Sequence, residues 1–128
     1  MGNRESRPVY TPKSGKITGS SCQFNDMQCS IASMQGLRPE QEDTEIGEEL
    51  VEGLFLGAVS DGHGGSLTSK RIKNEFPGFF KTHPLFLDFI SKNNIYNLSQ
   101  EQAIEFSNMS KEVVWCFDEY LLKNQADM

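Results

Sequence analysis

Carboxylates cluster in two short segments of the sequence, one on each side of an apolar run. Glu42 and Asp43 end the segment GLRPEQED, and Asp61 directly follows the apolar run LFLGAVS at 54–60. Carboxylates that lie close together raise one another's proton affinity, whereas a divalent cation neutralises them and leaves positions open for water. Because hard oxygen donors favour Mg²⁺ or Mn²⁺ over Zn²⁺, the two segments predict a magnesium or manganese site.

Three residues beside these carboxylates suit the chemistry of phosphate esters. Gly62 has no side chain, so its carbonyl can approach a metal ion closely. His63 is suited to protonate a leaving alkoxide near neutral pH, and the guanidinium of Arg38 is suited to bind two phosphate oxygens at once. The combination predicts hydrolysis of a phosphate ester by a metal-activated water, with two ions about 4 Å apart if the site is binuclear.

Each of these residues, taken singly, also has a purely structural interpretation. Arg38 can form a surface ion pair, and Asp61 can begin an ordinary turn. Glu42 and Asp43 can simply keep a loop soluble. Other active-site motifs are absent from the sequence: the HGGS segment at 63–66 is similar to the oxyanion-hole segment of lipases, but no GxSxG nucleophile motif, EF-hand loop or P-loop accompanies it.

Two strands are predicted to position the acidic segments. Residues 22–35 alternate weakly in polarity, which indicates an extended segment, and the continuous apolar run 54–60 is typical of a central strand covered on both faces. If 54–60 pairs with 22–35, the carboxylates converge at one end of a sheet, and residues 45–53 form the connecting loop.

Three helices are predicted to follow. Ser66 is a candidate N-cap for a helix that Pro77 and Gly78 would end. Pro84 suits the first turn of a short helix, which the Asn-rich segment 93–97 would break. A third helix begins with a capping box, and its apolar stripe, together with Met109 and Trp115, is assigned to the core; the capping residues are Ser99 and Gln102, and the stripe is Ala103, Phe106, Val113, Phe117 and Leu121.

The composition of the chain argues against several classes of protein. The 128-residue chain carries a net charge of −6, which argues against a nucleic-acid-binding surface. Three cysteines without a CxxC pair favour a reducing compartment, and no apolar run approaches the roughly 20 residues that a membrane-spanning helix requires. We therefore expect a cytoplasmic protein with a single domain.

The first 21 residues are rich in Pro, Gly and polar residues, so we expect a mobile tail before a domain over 22–128. Their opening, MGNRES, matches the N-myristoylation pattern, with Gly2 as the acceptor. One acyl chain binds membranes only marginally, and basic residues in the tail would add an electrostatic signal. Peripheral membrane contact through this tail and an unmodified tail both remain open.

The segments SMQGLRPEQED at 33–43 and GAVSDGHGG at 57–65 together resemble the opening motifs of the metal-dependent PP2C (PPM) family of protein serine/threonine phosphatases. The resemblance is dense over 33–66 and looser over the rest of 22–128. It implies an α+β fold, in which antiparallel sheets of a β-sandwich are flanked by helices. It also implies dephosphorylation of phosphoserine and phosphothreonine proteins with two Mg²⁺ or Mn²⁺ ions.

The same resemblance implies roles for the residues already singled out. Asp61 would bridge two metal ions, and Gly62 would contribute its carbonyl. Glu42 and Asp43 would bind or orient water on the metals. The two catalytic residues would be the phosphate-binding Arg38 and the general acid His63.

The sequence departs from the family pattern after the third predicted helix. A GSTA-like strand and later aspartates that complete the metal site do not follow, so we expect 22–128 to be the N-terminal portion of such a domain. Weak metal binding and little phosphatase activity are the corresponding expectation. The alternative is a non-catalytic binding or regulatory module that keeps Arg38 and the acidic cleft.

Overall fold

The computed structural model describes residues 17–24, 27–63 and 65–125. Four strands precede three helices, so the predicted α+β class is confirmed. In chain order the elements are β1 (Ile17–Phe24), β2 (Met27–Met34), β3 (Thr44–Val51), β4 (Leu54–Ser60), α1 (Leu67–Thr82), α2 (Pro84–Lys92) and α3 (Gln100–Lys123). Residues 1–16, with the candidate acylation site Gly2, lie outside the described residues.

The first two strands form an antiparallel hairpin in which Ile17 pairs with Met34. The sequence predicted one extended segment over 22–35, whereas the structure has two strands, and residues 17–21 belong to β1 rather than to the predicted tail. Pairing with β2 supplies the hydrogen bonds of these residues. Their sequence, ITGSS, has one apolar residue and no alternation that would reveal the pairing. The predicted alternation holds within β2, where Cys29, Ile31 and Ser33 are half-buried and the residues between them are exposed.

The next two strands form a second antiparallel hairpin, and here two predictions were wrong. Residues 45–53 are not a loop, because 44–51 form β3, and β4 pairs with β3 rather than with the segment 22–35. The two residues after β3 form the turn, and Gly53 adopts a φ of +93°, which glycine tolerates without steric cost. The sequence of β3 is rich in acidic residues, which is why it was predicted to be a loop. The strand nevertheless buries Ile46 and Leu50 in the core.

The strand β4 was predicted to be central and covered on both faces, and this too was wrong. In the described part of the chain each sheet has two strands. Residues 56–60 of β4 alternate between half-buried and exposed, and Val59 is 79% exposed. The apolar run therefore forms a strand that is covered on one face only.

Helix α1 continues through Pro77 to Thr82, so the predicted stop at Pro77 and Gly78 was wrong. A proline in a helix interior removes one hydrogen bond and costs about 3 kcal/mol. Phe76 and Phe80, on either side of this proline, are both buried in the core, and burying each ring contributes about 1.5–3 kcal/mol. The free energy gained by burying the two rings therefore offsets the cost of the proline, and α1 continues past it.

The other two helices match their predicted signals. Pro84 occupies the first turn of α2, and α3 begins with the reciprocal capping box of Ser99 and Gln102. The core lies between the helices and the inner face of the second hairpin, and its buried members are Ile46, Leu50, Phe76, Phe80, Phe86, Val113 and Phe117.

The predicted stripe of α3 faces this core, with one exception among its members. Val113 and Phe117 are buried and Phe106 and Leu121 pack against them, whereas Ala103 is exposed. Met109 packs against the core as predicted, but the assignment of Trp115 to the core was wrong, because its side chain is 74% exposed. Position 115 lies on the opposite side of the helix from Val113.

No helix in the described ranges combines the length and apolar character needed to cross a lipid bilayer.

Candidate metal centre

The second hairpin brings the two acidic segments together. Thr44 pairs with Ser60 at the open end of the hairpin, so Asp43 and Asp61 leave neighbouring strands at the same end. They border a cavity of about 310 Å³ lined by Arg38, Glu40, Gln41, Glu42, Asp43, Asp61, Gly62 and His63. All six residues predicted for the site therefore line one cavity, although a different strand pairing from the predicted one positions them.

Gln41 anchors the segment between β2 and β3. Its side-chain amide donates to the hydroxyl of Ser33 at 3.2 Å and to the carbonyl of Met34 at 3.1 Å. Its amide oxygen accepts from the backbone N–H of Asp43 at 3.2 Å. These three bonds tie the acidic segment to the end of β2, a role that the sequence reasoning did not assign to Gln41.

Glu42 joins the two motif segments. One carboxylate oxygen accepts a hydrogen bond from the backbone N–H of Gly65, and the other lies 3.5 Å from the guanidinium of Arg38. Its side chain is 21% exposed, compared with 72% for Arg38. Glu42 therefore holds the loop after β4 against the loop before β3, and orients an otherwise exposed arginine.

Gly62 permits a close approach of the two segments. A methyl group built on its Cα would collide with the backbone carbonyl of Glu42 and would come within 3.0 Å of the carbonyl of Gly65. Backbone atoms cannot move aside as the end of a flexible side chain can. The requirement for glycine predicted from a metal site is thus also a requirement of the protein's own packing.

Buried hydroxyls connect the site to the start of α1. The single proton of the Ser69 hydroxyl is within reach of two acceptors, the backbone carbonyls of Glu42 and Ser66. The Thr44 hydroxyl donates to the carbonyl of Ser69 at 2.7 Å. Ser66 occupies the N-cap position as predicted, but its hydroxyl donates to the carboxylate of Glu40 at 2.9 Å instead of capping the helix. Glu40, Thr44 and Ser69 were not predicted. A hydroxyl in the first turn of a helix is a weak signal for Ser69, and the sequence carries no corresponding signal for Glu40 or Thr44.

Asp61 and His63 form the exposed side of the cavity. Their side chains are 75% and 86% exposed, and the Nδ1 of His63 lies 3.7 Å from a carboxylate oxygen of Asp61. Both groups are therefore accessible to a ligand that enters from solvent.

The residues around the cavity include the carboxylate side chains that Mg²⁺ and Mn²⁺ prefer as ligands. In the ranges that the structure covers, no three acidic, histidine or cysteine side chains lie close enough together to share an ion. The donor types at this site fit a hard cation, with Glu42 already bound to the protein and Asp43 and Asp61 on the cavity wall.

Comparison of the chain with models of protein families, with curated proteins and with solved structures gives no match.

Proposed function

We propose that this chain carries the first part of the active site of a PP2C-type, metal-dependent protein serine/threonine phosphatase, with a PP2C-like β-sandwich as its parent fold. The observation that supports the proposal is the shared cavity. The segments 33–43 and 57–65 are both similar to the opening motifs of the family. All their candidate ligands and catalytic groups line this cavity. For structural turns alone, no such convergence is required.

Arg38 is the proposed phosphate-binding residue. Its guanidinium lies at the cavity edge, and its contact with Glu42 at 3.5 Å leaves donors available for phosphoryl oxygens. A guanidinium presents paired donors that match two oxygens of one phosphoryl group. The phosphoserine or phosphothreonine of a protein substrate would therefore be positioned by Arg38, which Glu42 orients.

Asp43, Asp61 and the Gly62 carbonyl are the proposed ligands of Mg²⁺ or Mn²⁺. When bound, such an ion polarises the phosphoryl group and activates water for attack. His63 would donate a proton to the leaving serine or threonine oxygen, since imidazole exchanges protons near neutral pH. Asp61, 3.7 Å away, would orient the ring.

The metal site is tested by thermal unfolding of the full chain, followed by circular dichroism, with and without Mn²⁺. A ligand that binds only the folded state stabilises it by about 2.7 kcal/mol at 100 times its dissociation constant. We expect Mn²⁺ to raise the unfolding midpoint of the wild-type chain but not that of Asp61→Asn.

Asp88→Asn is the matched control, because Asp88 is an exposed aspartate on α2 that pairs with Lys92. It should retain the whole effect of Mn²⁺. An equal rise of the midpoint in Asp61→Asn would contradict the assignment of Asp61 as a ligand.

The second candidate function is a module that binds phosphorylated proteins without turnover. It is favoured by the engagement of Glu42, whose two carboxylate oxygens already contact Gly65 and Arg38. Calorimetric titration with a phosphoserine peptide, combined with an assay for released phosphate, separates the two functions. Binding that Arg38→Ala abolishes, without Mn²⁺-dependent release of phosphate, would favour the module over the phosphatase.

A further inference from the structure

Two of the three cysteines occupy directly opposite positions in the first hairpin. In the antiparallel register of β1 and β2, Cys22 pairs with Cys29. All eight residues of each strand are paired in order, so no bulge interrupts the register at this position. Residues 23–28 separate the two cysteines in the sequence, and it is the turn of the hairpin that brings their backbones side by side.

The spacing of paired strands suits a disulfide at this position. Opposite residues of an antiparallel pair share one face of the sheet, and their Cα atoms lie about 4.5 or 5.5 Å apart, depending on whether the pair is hydrogen-bonded. Disulfides in proteins join Cα atoms that are about 4.4–6.8 Å apart. Both kinds of pair therefore fall in the range that an S–S bond can span without movement of the backbone.

The third cysteine is placed differently. Cys116 lies on α3, which packs against α1 and α2. Cys29 and Cys116 are both half-buried free thiols. Strand pairing sets a second cysteine opposite Cys29, whereas Cys116 belongs to a helix.

We propose that Cys22 and Cys29 form a reversible disulfide across the first hairpin, with a small-molecule disulfide such as oxidised glutathione as the oxidant. One thiolate attacks the oxidant, which releases one glutathione and leaves a mixed disulfide on the protein. The second thiolate attacks the protein sulfur of that mixed disulfide and releases the second glutathione. One S–S bond forms in the protein and one is broken in the oxidant. The protein loses two electrons, and its two thiol protons pass to the two glutathione thiolates.

The hairpin that carries this pair also anchors the acidic segment. Gln41 donates to the hydroxyl of Ser33 and to the carbonyl of Met34, at the end of β2. A covalent bond between the strands would therefore restrain the support of the candidate metal centre. In reducing compartments, such disulfides are typically transient and redox-sensing. The disulfide itself requires neither a metal ion nor phosphatase activity.

Equilibration of the reduced full chain with mixtures of oxidised and reduced glutathione tests the proposal. Trypsin should leave Cys22 and Cys29 together in peptide 17–70, because Arg38 precedes a proline, whereas Cys116 falls in peptide 112–123. After alkylation of the free thiols, mass spectrometry should show peptide 17–70 unalkylated and lighter than its reduced form by two hydrogen atoms. The equilibrium constant for this disulfide should be at least about tenfold higher in the folded chain than in urea, since the hairpin raises the effective concentration of one thiol at the other.

The matched control moves one cysteine by a single position. In the double variant Cys29→Ser and Ser30→Cys, position 30 pairs with Ser21 and lies on the opposite face of the hairpin from Cys22. The two cysteines remain almost as close along the chain. The equilibrium constant of this variant should be no higher in the folded chain than in urea. Circular dichroism spectra of both chains establish that they are folded.

Equal equilibrium constants for the wild-type chain in native buffer and in urea would overturn the proposal. A native preference of the same size in the double variant would do so too, because the register could then not be its cause. Peptide 17–70 with glutathione or the alkylating group on both cysteines, at every ratio of the two forms of glutathione, would exclude the bond outright.

Discussion

Gly62 and Gly78 differ in what a methyl group would meet. At Gly62 it would meet the carbonyl of Glu42, whereas at Gly78, inside α1, no atom lies within 4 Å. We expect Gly62→Ala to lower the free energy of unfolding by about 1–3 kcal/mol, as overpacking does. Gly78→Ala should raise it by about 0.5–1 kcal/mol, because alanine is the better helix former. Urea unfolding followed by circular dichroism measures both, and a Gly62→Ala chain as stable as Gly78→Ala would refute the close approach.

Whether a site residue could be predicted from the sequence depends on how its side chain acts. Arg38, Asp61 and His63 could be singled out because their types and spacing suit one reaction. Glu40 and Ser69 could not, because they act through hydrogen bonds to partners 26 and 27 residues away. Such bonds depend on tertiary packing and leave no spacing signature in the sequence. Their contributions could be found only after the loops had been placed.

A polar cluster joins α1 to the end of α3. Arg71 forms a bidentate pair with Glu75, and its guanidinium also donates to the carbonyl of Asn124 at 3.1 Å. The hydroxyl of Tyr120 donates to Glu75 at 2.7 Å. Hydrogen bonds from Arg71 and then Tyr120 lower the pKa of Glu75, and the bond to Glu75 raises the pKa of Tyr120. The cluster therefore stabilises the two helices against each other while Glu75 is ionised.

The contribution of Glu75 to stability should depend on pH. Because its pKa is lowered in the folded chain from an ordinary value of 4.5, the contribution is present above that value and is lost as the pH falls through the folded pKa. Glu75→Gln should have a lower unfolding midpoint than the wild-type chain at pH 7. Thermal unfolding over a series of pH values should show this difference shrinking below about pH 4.5.

Asp88→Asn, which removes an exposed pair with Lys92, is the control and should leave the midpoint nearly unchanged at both ends of the series. A difference for Glu75→Gln that stays constant with pH would mean that ionisation of Glu75 is not what stabilises the contact.

Among the elements, those with local end signals were predicted correctly. Pro84 and the Ser99 capping box fix where α2 and α3 begin. The end of α1 and the whole of β3 were missed because packing decided them. Phe80 extends α1 past a proline, and burial of Ile46 and Leu50 makes a strand of an acidic segment. In both cases, contacts in the core determine the secondary structure against the local propensity of the sequence.

At the scale of the whole molecule, two buried rings attach α2, namely Phe89, which contacts Phe106 of α3, and Phe86. The side chain of Phe86 is fully buried and its ring lies 5.1 Å from that of Phe80 on α1. Phe86→Ala should cost about 3–5 kcal/mol, by loss of burial and formation of a cavity. That is a large part of the 5–15 kcal/mol that typically stabilises a domain, so urea unfolding should show a much earlier transition.

Leu87→Ala, at the next position of α2, removes a side chain that is 46% exposed and should cost far less. Equal losses for the two variants would place the anchor of α2 elsewhere.

The exposed position of Trp115 has a practical consequence, since it is the one tryptophan in the sequence. A solvated indole emits at long wavelength in the native state, and unfolding hardly changes its surroundings. The emission wavelength of tryptophan should therefore change little when this protein unfolds. It reports instead on whatever covers the outer side of α3, where a blue shift would mark the exclusion of water from the ring.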